Sequence, residues 1–515
     1  MPSPYLLAAT FLLVPAAATD YSTKCTLASP CPPIVTLTPE DTEEGTYTIY
    51  TTSQDGDRLT KLSKQSFSPT SNDGWQEIKL DTSVIHQQIL GFGGALTDAA
   101  SITVGKMNDE VQAAILNDYY TSDGLEYTIA RVPMASCDFS TGVYSYNETP
   151  EDFALENFSV DVDNTVTSGF KMQFVQRVLK ITTSPLTLFA SPWAPPAWMT
   201  QSNSTTGNPS LRDDPAIYTS WALYFSKFFE AYRENGVEFW GVTVQNEPAG
   251  NTGAWQDLKM SPEDQRDFIK DYLGPQLRAT DPDLKIMMLD DQRTHLPKWA
   301  DVILGDSDAA QYVDGIGLHW YAEVNDWFAW ATQPFKKMTA VNEKYPEKFM
   351  LATEACNGFI PFLDQGPKLG DWGRAERYGF DILSDLNAFA VGWTDWNIAL
   401  DMTGGPNWAK NVVDAPILAD VDDMETYYRN PMYYYLGHFS KFVRPGSKRI
   451  EVTSTGNAIS AAMESVGFKD EDGKIVLVVL NRDFAGHSYN VEVEGKGFIN
   501  VDVAAHAIQT IIFEE

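Results

Sequence analysis

An α/β fold built on a (β/α)8 TIM barrel is predicted by two features of the 515-residue sequence. Eight short β-rich runs recur through its middle, separated by stretches long enough for a helix. Both ends instead alternate apolar and polar residues with period two, as pieces of a sandwich or of small sheets do. A length prior of about 150 residues per domain leaves room for roughly three domains. With 43% hydrophobic and 21% charged residues the chain can bury a core, which excludes wholesale disorder.

The elements follow in chain order. Residues 5–18, YLLAATFLLVPAAA, form an apolar run too short to span a bilayer and are followed by small residues. They predict a signal peptide over 1–19, although no Lys or Arg precedes the run. No later apolar run is long enough to cross a membrane, so the mature chain is expected to be soluble and not transmembrane. A secretory route makes Asn147, Asn157 and Asn203 candidate glycosylation sites, each opening an Asn-x-Ser/Thr triplet. Cys25 and Cys31 lie close together and can pair as a disulfide in an oxidising compartment. Cys137 and Cys356 read as buried thiols.

The first strand expected is 46–53. The eight central runs are 89–96, 126–134, 186–193, 239–248, 285–292, 313–321, 348–356 and 390–397. Between them lie amphipathic helix candidates at 216–236 and 261–279, the second opening on Ser261 with Asp264 three residues later. Strands at 474–482, 488–495 and 507–514 close the chain.

Composition excludes several functions. The net charge is 37 − 70 = −33, which repels phosphate backbones and anionic membranes. Four cysteines cannot staple a scaffold of this size. No histidine pair has zinc-hydrolase spacing. GFGGAL at 91–96 is not a dinucleotide fingerprint, and its glycines fit tight backbone packing. The sequence has neither a Gly-x-Ser-x-Gly elbow nor a P-loop.

The strand ends carry the chemistry. A buried parallel strand reads as continuous apolar sequence. Here the runs finish on Arg131, Trp193, Glu247, Asp290 and Gln292, His319 and Tyr321, Glu354, and Trp393 and Trp396. In a barrel these ends converge on one face, where active sites sit. Glu247 and Glu354 close the fourth and seventh runs. Glycoside hydrolysis needs two such carboxyls flanking one bond, one protonated and one ionised. Trp193, Trp320, Tyr321 and Trp396 offer apolar faces for a sugar ring.

These motifs also carry a resemblance. FGGALTDAA (92–100), RVPMASCDFS (131–140), ASPWAPPAWM (190–199), VQNEP (244–248), LDDQR (289–293), HWY (319–321), ATEAC (352–356), GWTDWNIAL (392–400), GGPNW (404–408) and YLGHFSKF (435–442) resemble the glucosylceramidase (lysosomal acid β-glucosidase) family of retaining glycoside hydrolases. The match runs in order from about Gly91 to Phe442 and is looser outside. It implies removal of glucose from glucosylceramide or a related β-glucoside, with Glu247 as acid/base and Glu354 as nucleophile. It implies that Asp138, Phe139, Trp193, Asn246, His319, Tyr321, Trp396 and Asn411 contact the sugar, and that Arg131, Gln292 and Cys356 support the pocket. It implies no metal and no cofactor.

The resemblance also implies an accessory β-sandwich (37–86 with 443–515) and a small antiparallel β-sheet domain (20–36 with 398–429) around the barrel (87–397 with 430–442). A saposin-like activator protein, an anionic lipid surface and a lysosomal location, or alternatively secretion, belong to the same expectation. Three departures stand out. The segment after Glu247-Pro248, AGNTGAWQDLKM, is short and lacks the family's aromatic rim, with Trp255 as a partial substitute. One N-terminal disulfide is available instead of two. The charge of −33 opposes anionic lipid. The alternatives are another retaining β-glycosidase, acting on galactosyl, xylosyl or oligosaccharide substrates, and a non-catalytic glycolipid-binding protein.

Overall fold

The computed structural model describes residues 19–34, 38–322, 331–455 and 463–515. The signal segment expected over 1–19 lies outside these but for its last residue. Eight parallel strands close into a barrel in sequential order. They are β1 (Gly91–Ala95), β2 (Ile129–Met134), β3 (Thr187–Pro192), β4 (Gly241–Thr243), β5 (Lys285–Gln292), β6 (Gly315–His319), β7 (Phe349–Glu354) and β8 (Ala390–Asn397). Each coincides with one of the eight runs expected from the sequence.

Strand β4 is much shorter than its run, 239–248. The chain leaves regular pairing after Thr243 and reaches Glu247 in a left-handed conformation, φ +46°. The glycines of β1 serve closure. A Cβ on Gly93 would overlap the Ile129 carbonyl of β2, and one on Gly392 of β8 would overlap the Gly91 carbonyl. Only glycine lets three backbones approach this closely.

Helices cover the barrel, and the two expected from the sequence lie among them. Asp214 caps the helix Pro215–Glu234, whose Ile217, Trp221, Phe225, Phe228 and Tyr232 are buried. The second expected helix starts as anticipated, with Ser261 and Asp264 forming a reciprocal capping box. It then opens into a π-helical turn, Ile269–Leu273, before resuming at Gly274–Thr280. Pro275 lacks the N–H that regular α-helical bonding needs there, so the turn widens.

A ten-stranded sheet folds back on itself to make the sandwich. Ile49, Leu477, Val479, Val491, Val501 and Ile511 meet inside it. The strands at Thr46–Ser53, Lys474–Asn481, His487–Val493 and Ala507–Glu514 were legible from alternation. The thirteen-residue strand Gln76–Gln88 was not. It is half-exposed along its length, and two register shifts against Lys448–Thr455 spoil its alternation. Its end ties the sandwich to the barrel, since Gln87 donates to the Leu386 and Ala390 carbonyls at 2.7 and 3.0 Å. His438 makes a second tie, lying between Thr52 and Thr510 hydroxyls at 2.9 and 2.8 Å. Burial lowers its pKa to about 3, so it is neutral there.

A four-stranded sheet joins Thr23–Thr26, Thr426–Arg429, Ile417–Asp420 and Ala399–Asp401. Its pairs are antiparallel except Ala399–Asp401 with Ile417–Asp420, which run parallel. Cys25 and Cys31 form a disulfide beside it, and Cys137 and Cys356 are buried free thiols. Arg429 donates to both carboxylate oxygens of Asp118 on the helix Asp109–Tyr120, fastening this sheet to the barrel. Among the described residues no helix is long and apolar enough to cross a membrane.

One sequon expectation needs correction. Asn157 and Asn203 are exposed, but Asn147 is buried and its amide donates to Asp152 at 2.9 Å. The folded chain therefore does not offer that nitrogen to a glycan.

Gly93→Ala should destabilise the protein by about 3 kcal/mol or more, read as a shifted urea midpoint. Ala at Gly105, where added carbon meets nothing within 4 Å, is the matched control.

Candidate active site

The site sits at the C-terminal end of the barrel, around one buried arginine. Arg131 on β2 donates to Ser191 on β3 at 3.0 Å, to Asn246 and Asp290 at 2.8 Å each, and to Glu354 Oε2. Its guanidinium also lies 4.9 Å from the Trp193 ring and 5.5 Å from Trp396. These two indoles stack at 5.2 Å. Strands β2, β3, β5, β7 and β8 and the turn after β4 thus converge on one cation.

Glu354 is the last residue of β7. Its other oxygen accepts from Tyr321 at 2.8 Å, and that hydroxyl lies 3.4 Å from Cys356 Sγ. Glu247 stands on the turn after β4. Its Oε1 accepts from the Gln292 amide at 3.3 Å and lies 3.5 Å from His319 Nδ1. Carboxylate oxygens of Glu247 and Glu354 come within 4.8 Å of one another.

The protonation states have separate causes. Burial raises the Glu247 pKa; the neighbouring His319 opposes this, and the Glu354 charge adds to it. Burial works against a charge on His319, but Glu354, Asp290 and Glu247 outweigh it and push its pKa up to about 10. Burial also works against Asp290, yet Arg131, His319 and Thr243 hold its carboxyl well below the usual range. Asp138 accepts from Asn411 at 3.0 Å, and burial together with the Glu354 charge raises its pKa to about 7.

These residues enclose a cavity of about 470 Å³. Of the residues singled out from the sequence, Asp138, Phe139, Trp193, Asn246, Glu247, Gln292, Tyr321, Glu354, Cys356, Trp396 and Asn411 line it. Arg131 and His319 stand behind it, fully buried. Trp320 does not reach the cavity. It is buried, donates to the Cys356 carbonyl at 3.1 Å and packs on Tyr378 and Trp393, so it fills core. Trp255 reaches the rim together with His295.

Sequence reasoning missed the importance of Asp290. It accepts from Arg131, Thr243, His319 and Thr353 at 2.6–3.1 Å. The available signal was a second carboxylate within a buried strand, next to Asp291. Glu247, His319 and Glu354 also present three potential metal-binding atoms close together. The donor set suits a cation poorly, because a protonated imidazole has no lone pair to give and Arg131 already holds Glu354.

Two carboxyls on a TIM-barrel rim, backed by stacked indoles, fit sugar chemistry, and comparisons with known proteins agree. Residues 89–443 match the glycosyl hydrolase family 30 TIM-barrel domain, and 446–511 match the β-sandwich domain of the same family. Lysosomal acid glucosylceramidase of Mus musculus is 39% identical over 91% of this chain and 89% of its own length. An endo-1,6-β-D-glucanase of Neurospora crassa is 29% identical over 83% of this chain and 85% of its own. The crystal structure of SrfJ from Salmonella typhimurium superposes with a TM-score of 0.82 at 28% identity, over 91% of this chain and all of that one. A family model that spans the whole barrel, and a relative this similar over nine-tenths of the chain, make this protein a glycoside hydrolase of glycosyl hydrolase family 30.

Proposed function

We propose that the chain is a retaining β-glucosidase that releases glucose from glucosylceramide by double displacement. The observation that carries the mechanism is the approach of Glu247 and Glu354 oxygens to within 4.8 Å. Retaining enzymes hold their carboxyls about 5–5.5 Å apart, and inverting enzymes about 6.5–9.5 Å. Glu354 attacks the anomeric carbon, with Arg131 and Tyr321 fixing its orientation. Glu247, whose pKa is raised by burial and the Glu354 charge against the opposing His319, gives its proton to the leaving oxygen. Once Glu354 is esterified its charge is gone. Glu247 then loses that raising influence and takes a proton from the incoming water. Trp193, Trp396, Asp138, Asn246 and Asn411 hold the sugar. The Neurospora relative supports a second reading, hydrolysis of a β-1,6-glucan by the same carboxyls. Initial rates on glucosylceramide in detergent micelles and on a β-1,6-glucan separate the two.

A lipid substrate also fits the rim. Phe359, at the base of the hairpin Phe359–Ile360 and Asp364–Gln365, lines the cavity. At the hairpin tip Phe362 is 100% exposed and Leu363 84%. Such a tip enters a lipid surface by apolar burial, which the charge of −33 does not oppose when the lipid is neutral. The proposal includes secretory delivery to an acidic lumen with glycans on Asn157 and Asn203, and help from a saposin-like activator on anionic lipid.

Three outcomes are expected. Glu354→Gln should abolish turnover of every substrate, whereas Glu247→Gln should still react with an activated aryl glucoside and accumulate a hexose adduct on Glu354 in intact-protein mass spectra. Absence of the adduct refutes the assignment. Phe362→Ser with Leu363→Ser should lower partition onto neutral phosphatidylcholine vesicles at least about tenfold, with rates on a soluble glucoside unchanged. The third outcome concerns pH and stability. Asp138 and Asp257, both raised to about 7, and Asp414, raised to about 6, are all raised chiefly by burial. A raised carboxyl stabilises the fold below its unfolded pKa, and this is lost as pH rises through the folded value. His438 acts oppositely below its unfolded value. His319 and Glu247, also raised, act with the three carboxyls, so the balance gives a higher thermal midpoint at pH 5 than at pH 7.5, checked by calorimetry.

A further inference from the structure

Glu247 is held from outside its own strand. Its backbone is left-handed, and its N–H donates to the Asp290 carbonyl at 2.9 Å. The next turn is fastened by Asp291, which is only 3% exposed. Asp291 Oδ2 accepts from the Ala249 N–H at 2.9 Å, and Oδ1 accepts from the Gln292 N–H at 2.6 Å. Gln292 in turn reaches Glu247 Oε1 with its side chain and accepts from the Ala322 N–H at 3.0 Å. Leu289 and Asp290 are both left-handed, φ +65° and +61°, where the β5–β6 register shifts. That kink puts two successive carboxylates to use at once. Asp290 points to Arg131 under the floor, while Asp291 lines the cavity and grips the Glu247 turn.

We infer that Asp291 is a positioning residue for the acid/base carboxyl: it clamps the Pro248–Ala249 turn and places a carboxylate beside Glu247. The inference rests on the acid/base reading of Glu247. A left-handed glutamate followed by proline stays put only if its surroundings over-determine it. Asp291 supplies one fixed acceptor on the far side of the proline. Burial and the Glu354 charge raise the Glu247 pKa more strongly, His319 opposes them, and the Asp291 charge adds a smaller raise. Asp138 and Asp257 also feel the Glu247 charge and, raised to about 7 chiefly by burial, are neutral on the acid side, while His295 Nε2 faces Asp291 at 3.5 Å.

The test uses Asp291→Ala, Asp291→Asn and Glu247→Gln on an activated aryl glucoside and on an alkyl glucoside with a poor leaving group. Asp291→Ala frees the turn and should lose about tenfold more kcat/KM on the alkyl substrate than on the aryl one. Asp291→Asn keeps an acceptor for Ala249 but removes the charge. Its leaving-group pattern should stay near wild type, while the alkaline limb of kcat/KM against pH moves down by about half a unit. Equal losses on both substrates in Asp291→Ala, or an unmoved limb in Asp291→Asn, overturn the inference. Glu247→Gln separates the two ideas. If it too fails to discriminate leaving groups, the acid/base reading falls. If it discriminates and Asp291→Ala does not, only the role of Asp291 falls.

Discussion

The buried charge on Arg131 is the constraint on which the rest of the site depends. A guanidinium with no exposure is tolerable only if its donors are met by acceptors, and removing one partner of such a buried pair costs about 3–5 kcal/mol. Here the partners come from five other places around the barrel: Ser191, Asn246, Asp290, Glu354 and the two indoles. Closing the barrel and assembling the site are therefore one event. A strand out of register would leave the arginine unpaired and would also misplace Glu354.

The same network divides the carboxylates into roles. Asp290 sits beside Arg131 and the charged His319 and is held ionised, so it serves as a permanent acceptor. Asp138 and Glu247 lie in the cavity wall, where burial and the Glu354 charge favour their protonated forms. Proximity to Arg131 and His319 is what separates Asp290 from the other two. The excess of acidic residues in the chain is thus not merely a solvated surface. Several are buried, and acidic surroundings relieve them.

Much of this was legible in the sequence, for specific reasons. Buried parallel strands must be apolar, so an Arg, Glu or His ending such a run is anomalous whatever surrounds it. That logic picked out Arg131, Glu247, His319 and Glu354. It worked less well where side-chain type says nothing about direction. Trp320 and Tyr321 are neighbours, yet one fills core and the other bonds Glu354. Asn147 reads as a sequon, yet Asp152 buries its amide. The strand Gln76–Gln88 carries no clean period, because it changes partners and register along its length.

The sequence by itself determined the eight strand–helix units, the polar residues at their C-terminal ends and the surplus of acid. These follow from local rules, since period, burial and turn chemistry act over a few residues. Only the tertiary structure decided the separation of Glu247 and Glu354, the left-handed turns that aim Glu247 and split Asp290 from Asp291, and which acids share Arg131. The reason is that a distance between residues 107 positions apart is set by barrel closure, which no local pattern encodes, and the charge state of each acid is then set by what closure brings beside it.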